Sequence, residues 1–146
     1  MTAAREESVV TSLRQMDSRR VLTVLLSVLL CSCSRPMSVE KFVMADGTGE
    51  YVFDLDMTDS LHVYDLSFYT RLDGRDAPSG FPMKIYLTSP SGQTYVEGVY
   101  FDCSSGVKVP YRTGLVPVER GVWRMSVSAV AQGMCGLGLI CEKKDF

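Results

Sequence analysis

The sequence lacks the features that mark several large classes of protein. Its 146 residues hold 15 Lys and Arg against 17 Asp and Glu, a formal net charge of −2, so no basic excess points to nucleic acid. There is one His and no C-x-x-C pair, which leaves a zinc site without its usual ligands. There is no G-x-S-x-G motif, the turn that carries a hydrolase nucleophile. We therefore expect no enzyme, no metal, no cofactor and no nucleic-acid partner.

A short apolar segment near the N-terminus has the layout of a secretory signal. Residues 21–30 read VLTVLLSVLL and follow Arg19 and Arg20. Ten helical residues rise about 15 Å, half the thickness of a hydrocarbon core. The basic flank, the short run and the small residues after it predict a signal peptide over residues 1–32. Met16 is an alternative start, because MDSRR leads directly into the run.

The end of this segment resembles the lipobox of bacterial lipoproteins. In Leu30-Cys31-Ser32-Cys33 the small Ser32 precedes the second cysteine, whereas acylation at Cys31 would put the bulky Leu30 before the cleavage point. The resemblance implies a palmitate-bearing Cys33 and a membrane anchor made of several acyl chains, since one chain binds only marginally. An ordinary cleaved signal or an uncut anchor is the alternative.

These features divide the chain into three parts. Residues 1–32 are the predicted signal peptide, residues 33–45 the lipidated N-terminus and tether, and residues 46–146 the folded domain. The expected location is the outer membrane, with the domain facing the periplasm or the cell surface.

Period-two alternation of apolar and polar residues dominates the chain from Glu50 onward, as in strands with one buried face. Ser89-Pro90-Ser91-Gly92 is a tight-turn sequence, and residues 93–101 are the expected hairpin partner of residues 83–88. Six to eight short strands predict an all-β, antiparallel β-sandwich, Ig-like or jelly-roll-like. The apolar sets expected to face the core are residues 51, 53, 55 and 57; 64, 66, 68 and 72; 83, 85 and 87; and 123, 125, 127 and 129.

Glycine marks one unusual strand near the C-terminus. Gly136 and Gly138 fall on one face of residues 134–142, which predicts close approach by another backbone or by an aromatic ring. Trp123 or a tyrosine is the candidate ring.

The cysteines of the domain are candidates for a disulfide. Cys103 can pair with Cys135 or Cys141 in an oxidising periplasm, whereas Cys135 and Cys141 lie about 20 Å apart along one extended strand. Three small buried thiols are the favoured alternative.

The polar and aromatic candidates are few. Tyr69, Tyr86 and Tyr95, with Asp73 and Asp76 of a long loop, form the candidate ligand or partner surface, since exposed tyrosines stack on sugars or anchor proteins. The lone imidazole, His62, is expected to be an ordinary surface residue. Asp54, Asp56 and Asp59 are too few and wrongly spaced for a calcium loop, and solvated carboxylates are the favoured interpretation.

The order of motifs resembles the gliding-motility-associated lipoproteins of Bacteroidota (GldH-like). The similar motifs are the lipobox, YVFDLD at 51–56, the strand ending YTR at 69–71, FPMKIYL at 81–87 before SPSG at 89–92, GVW at 121–123 and GLGLI at 136–140. The resemblance implies a non-catalytic accessory or structural subunit of an envelope complex, with envelope protein partners. The alternative is a glycan- or peptide-binding module.

Overall fold

The computed structural model describes residues 37–145, and the predicted lipidation site Cys33 lies outside them. Eight strands make up about two thirds of this part of the chain, which also has a single 3-10 turn at Cys103–Ser105. Within it, no helix is long and apolar enough to cross a membrane. The strands are β1 Ser38–Met44, β2 Glu50–Met57, β3 His62–Leu72, β4 Gly80–Thr88, β5 Thr94–Asp102, β6 Val109–Leu115, β7 Gly121–Ala129 and β8 Met134–Asp145.

Two four-stranded antiparallel sheets form a sandwich. Sheet A has the order β1-β8-β3-β6, and sheet B has the order β2-β7-β4-β5. Successive strands mostly cross from one sheet to the other, and this order is that of an eight-stranded jelly roll. The predicted all-β sandwich is confirmed, in its jelly-roll rather than its Ig-like form.

The core is the layer between the sheets, and it has the predicted period. On β2, Tyr51, Phe53, Leu55 and Met57 are all buried while the residues between them are exposed. Trp123, Met125, Val127 and Ala129 repeat this pattern on β7. Of the predicted inward residues, Leu87 and Leu72 are only half-buried.

The predicted hairpin is also confirmed. Strands β4 and β5 pair from Gly80↔Asp102 to Thr88↔Thr94. In the turn, Gly92 has φ 92° and its N–H donates to the Ser89 carbonyl over 2.9 Å, which is the left-handed backbone that favours glycine.

The strand at residues 38–44 differs from the predicted tether. β1 pairs with β8 over seven residues, from Ser38↔Glu142 to Met44↔Gly136, so the sandwich begins at Ser38 rather than near residue 46. The sequence SVEKFVM does not alternate between apolar and polar residues. β1 is an edge strand, and nearly all its side chains are exposed. Hydrophobic periodicity therefore could not reveal it.

The paired glycines of β8 hold aromatic rings on the outer face of sheet A. A Cβ added at Gly138 would lie 2.1 Å from the ring of Tyr69, and one at Gly136 would lie 2.6 Å from the ring of Phe42. The two rings stack at a centroid distance of 5.7 Å. The expected ring over the glycines is thus a tyrosine, joined by a phenylalanine, and Trp123 lies in the other sheet.

We predict that Gly138→Ala destabilises the domain by about 1–3 kcal/mol, the usual range for overpacking. The new methyl group displaces the Tyr69 ring from Phe42. Gly98→Ala on β5 is the matched control, since nothing lies within 4 Å of its added Cβ. Urea unfolding of both variants measures the difference, and equal midpoints would contradict the packing argument.

A second prediction concerns Asp65 on β3. It accepts the N–H of Gly114 over 2.7 Å and a hydrogen bond from Lys144, and the Lys144 bond, then the Gly114 bond, lower the pKa of its carboxyl group. A carboxyl group whose pKa is lower in the folded chain stabilises the fold at any pH above its unfolded pKa of about 3.9. This contribution is lost as the pH falls through the folded pKa.

Asp65→Asn should therefore lower the melting temperature at neutral pH and flatten its fall below about pH 4. Asp76→Asn, in an exposed loop, serves as the control. Parallel melting curves for Asp65→Asn and the wild type from neutral to acidic pH would refute the assignment.

Candidate functional site

The outer face of sheet B brings several polar side chains of different strands together. Antiparallel pairing places Glu50 of β2, Ser128 of β7, Lys84 of β4 and Gly98 of β5 in one row across the sheet. Cross-strand neighbours have Cβ atoms roughly 5 Å apart, so an acid, a hydroxyl and an ammonium lie side by side.

The next row adds an aromatic ring and apolar flanks. It runs Val52, Ser126, Tyr86 and Val96. Tyr86 is half-buried, and Lys84 Nζ lies 5.3 Å from its ring centroid, within cation–π range. This face therefore presents one ring beside one cation.

A shallow depression of about 500 Å³ lies over these rows, lined in part by Gly98, Ser128 and Lys84. The depression exists in part because Gly98 has no side chain to fill it. A Cβ added at Gly98 would have no atom within 4 Å. Tyr100 follows two residues later on the same face and is 62% exposed. Its ring lies against Gly80, where an added Cβ would come within 2.6 Å. The depression thus has the small residues Gly98 and Ser128 and the charged Lys84 in its lining. Tyr86 and Tyr100 lie on the same face of the sheet, outside that lining.

A second cavity, of about 430 Å³, opens between the sheets at the β5 and β6 edges. Its wall includes Leu66, Leu87 and Tyr95. Tyr95 faces this side of β5 and stacks on Trp123 at a centroid distance of 6.3 Å.

Glu97 closes this cavity by linking the two edge strands. It accepts a hydrogen bond from the Tyr111 hydroxyl and another from Arg112 over 2.7 Å. Burial, and next the bond to Glu97, raise the pKa of Tyr111. These polar groups hydrogen-bond to one another and so hold the edges of the two sheets together. Few of their donors and acceptors are left for a ligand.

The other predicted surface residues are dispersed. Tyr69 lies on the outer face of sheet A, where burial and a hydrogen bond to Glu40 raise its pKa to about 12, so its role is in packing. Asp73 accepts from Cys135 Sγ over 3.1 Å and pairs with Arg71 at 3.6 Å. Asp76 lies in the same exposed loop. Asp73 and Asp76 thus share one loop, whereas Tyr69, Tyr86 and Tyr95 lie on three other surfaces, so the five predicted residues do not form one site. Only Tyr86 lies on the face that carries the depression.

The three described cysteines are free thiols in this structure. Cys141 lies in the core, where burial raises its pKa to about 11. Cys135 lies six residues earlier on the same strand, as expected. Cys103 begins the 3-10 turn and packs partly against the core.

The polar candidates outside the tyrosines make local contacts. His62 lies between two carboxylates, with Nδ1 2.9 Å from Asp59 Oδ2 and Nε2 3.3 Å from Asp145 Oδ1. Asp56 caps the following turn by accepting from Thr58, and Asp54 lies 3.8 Å from Arg124. Among the described residues, no group of three His, Cys, Asp or Glu is arranged to hold a metal ion.

Comparison with known proteins adds little to this geometry. No family model matches the sequence, and no curated protein matches it. The chain has a distant likeness to the structure of TmCBM61 in complex with beta-1,4-galactotriose, with a TM-score of 0.35, 14% identity, and coverage of 75% of this chain and 70% of that chain. The resemblance to GldH-like lipoproteins stays a prediction.

Sequence reasoning missed Lys84, Ser128 and Gly98 because they meet only through the pairing of β4 with both β5 and β7. The one local signal was the alternation of side chains along each strand. It puts Lys84 and Tyr86 on the outer face of β4, and Ser126 and Ser128 on the outer face of β7.

Proposed function

We propose that this protein is a non-catalytic, lipid-anchored component of the bacterial envelope that binds a glycan on the outer face of sheet B. The lipobox-like Cys33 supports the anchor. The observation that carries the binding role is the open depression above Gly98, bordered by Lys84 and Ser128.

The chemistry of this face suits a sugar. Sugar hydroxyls donate and accept hydrogen bonds, and the row offers a carboxylate at Glu50, a hydroxyl at Ser128 and an ammonium at Lys84. A few such convergent polar groups are what fix a ligand's orientation. The apolar C–H face of a sugar ring stacks on aromatic rings, and Tyr86 and Tyr100 provide them on neighbouring strands. A peptide would use the same groups less completely, because it presents fewer hydroxyls.

The only His of the chain does not line the depression. Both ring nitrogens of His62 face carboxylates, Asp59 and Asp145, in an arrangement that ties the start of β3 to the end of β8.

The test is an immobilised array of envelope and extracellular oligosaccharides, followed by calorimetric titration of the strongest binder. Gly98→Leu should weaken that binding at least about tenfold, near 1.4 kcal/mol, because the side chain fills the depression without meeting a neighbour. Lys84→Ala should weaken it as well. Lys41→Ala, an exposed lysine of sheet A, is the matched control and should bind normally.

Wild-type protein that binds no glycan on the array, or a Gly98→Leu variant that binds as tightly as the wild type, would contradict the proposal. Melting curves of each variant separate lost binding from lost folding.

A protein partner is the second candidate, favoured by the edge strand β5. No strand of the described residues pairs with its outer edge, and it exposes Tyr95, Val96 and Tyr100. An unpaired edge accepts an added strand from another chain. In this form the protein is an accessory subunit of an envelope complex of the gliding-motility-like type.

Cross-linking in native cells, capture through a C-terminal tag and mass spectrometry test this role. We expect a stoichiometric envelope protein that is lost in Cys33→Ala and depleted in Val96→Lys, since a charge on an edge strand opposes strand addition. Val39→Lys, on the edge strand β1 and about as exposed (51% against 53%), is the control. Recovery of the protein alone, or equal capture with Val96→Lys, would count against a strand-addition partner.

A further inference from the structure

We propose that the end of the sandwich at which β1 begins rests on the membrane surface, with its apolar loop residues inserted among the lipid headgroups. This inference depends on the proposed acylation of Cys33. It adds an interaction surface in the folded domain to that anchor.

The topology defines this end. β1 and β3 start there and β6 and β8 finish there, as shown by the pairs Ser38↔Glu142, His62↔Asp145 and Tyr64↔Leu115. In sheet B, β2 finishes and β7 starts there, through the pair Met57↔Gly121, and β4 finishes beside the start of β7, through the pair Thr88↔Arg124. The N-terminal end therefore comprises Met37 and the loops at residues 58–61, 89–93 and 116–120.

The length of the connecting chain brings this end close to the anchor. Only four residue steps separate Cys33 from Met37, and a fully extended chain covers at most about 14 Å over that distance. Strand β1 begins with the very next residue, Ser38. The opposite end of β1 lies a whole strand length farther from the tether.

Apolar side chains project from this end instead of packing inward. Leu61 is 75% exposed in its loop, and Val116 and Val118 are 56% and 79% exposed on either side of Pro117. Met37 is 52% exposed next to the tether. Apolar side chains of a surface element enter the boundary of headgroups and acyl chains and strengthen binding in proportion to the area they bury.

The carboxylates of these loops already accept hydrogen bonds, which lowers the free-energy cost of placing them at a lipid interface. Asp59 accepts the N–H of Leu61 over 3.0 Å and lies 2.9 Å from His62. Glu119 accepts from both the N–H and the hydroxyl of Ser91. The third charged loop residue is Arg120, a cation, which anionic headgroups attract.

Trp123 allows a direct test, because it is the chain's single tryptophan and its Nε1 donates to the carbonyl of Glu119, a residue of the N-terminal end, over 2.9 Å. The full-length acylated protein is reconstituted into phosphatidylethanolamine–phosphatidylglycerol vesicles, with or without phosphatidylcholine brominated high in its acyl chains. Loops that enter ~5–10 Å of the interface should give roughly twofold quenching of Trp123 fluorescence.

Leu61→Ser combined with Val118→Ser should reduce this quenching by about half or more. Val107→Ser combined with Val130→Ser alters equally exposed apolar residues (86% and 77%) at the opposite end and should leave it unchanged. All four positions are exposed, so melting curves should show intact folding in both double variants.

Mass spectrometry of the reconstituted protein separates the two proposals. An acylated chain whose Trp123 is not quenched, or is quenched equally in both double variants, overturns the membrane contact and leaves the anchor standing. A chain that carries no acyl group at residue 33 overturns the anchor and this inference together.

Discussion

Burial of one face of each strand against the opposite sheet is the interaction on which the rest of this structure depends. Alternate residues of β2 and β7 supply the sheet B half of the layer, and Tyr64, Leu66, Phe68, Leu137 and Leu139 supply much of the sheet A half. Because the side-chain period of a strand is two, a shift of one residue would expose a whole set of core residues. The same requirement fixes which residues line each outer face. Glu50, Lys84 and Ser128 stand together on sheet B because Tyr51, Met83 and Val127 must point the other way.

Much of the fold was predictable, because this layer leaves a local signal. The alternation of β2 and β7, the Pro90–Gly92 turn and the glycines of β8 could each be interpreted within a dozen residues of sequence. β1 could not, since an edge strand with Phe42 and Met44 on one side and Val39 and Val43 on the other has no polar face to mark it. The candidate site could not be predicted from the sequence either. Its residues come from four strands whose order in sheet B, β2-β7-β4-β5, is not their order in the chain.

The aromatic residues show why composition alone misleads about binding surfaces. Tyr69 covers a glycine and stacks on Phe42, Tyr95 stacks on Trp123, and Tyr111 helps Glu97 hold the edges of the two sheets together. Each of these rings stabilises the fold, so only Tyr86 and Tyr100 remain on a face that has room for another molecule. The two surfaces proposed for binding also face different directions. The outer face of sheet B faces perpendicular to the strands, whereas the apolar loops of the N-terminal end project along the strand direction.

The place of β1 in the fold has a mechanical consequence. A pull on the N-terminus enters the domain at Ser38 and is directed along the axis of β1, away from the rest of the strand. Its hydrogen bonds to β8, over seven paired residues, then lie across the direction of force and share the load together, instead of opening one after another. β8 in turn pairs with β3 along eleven residues. Tension from a membrane would therefore pass first into the longest strand pair of sheet A.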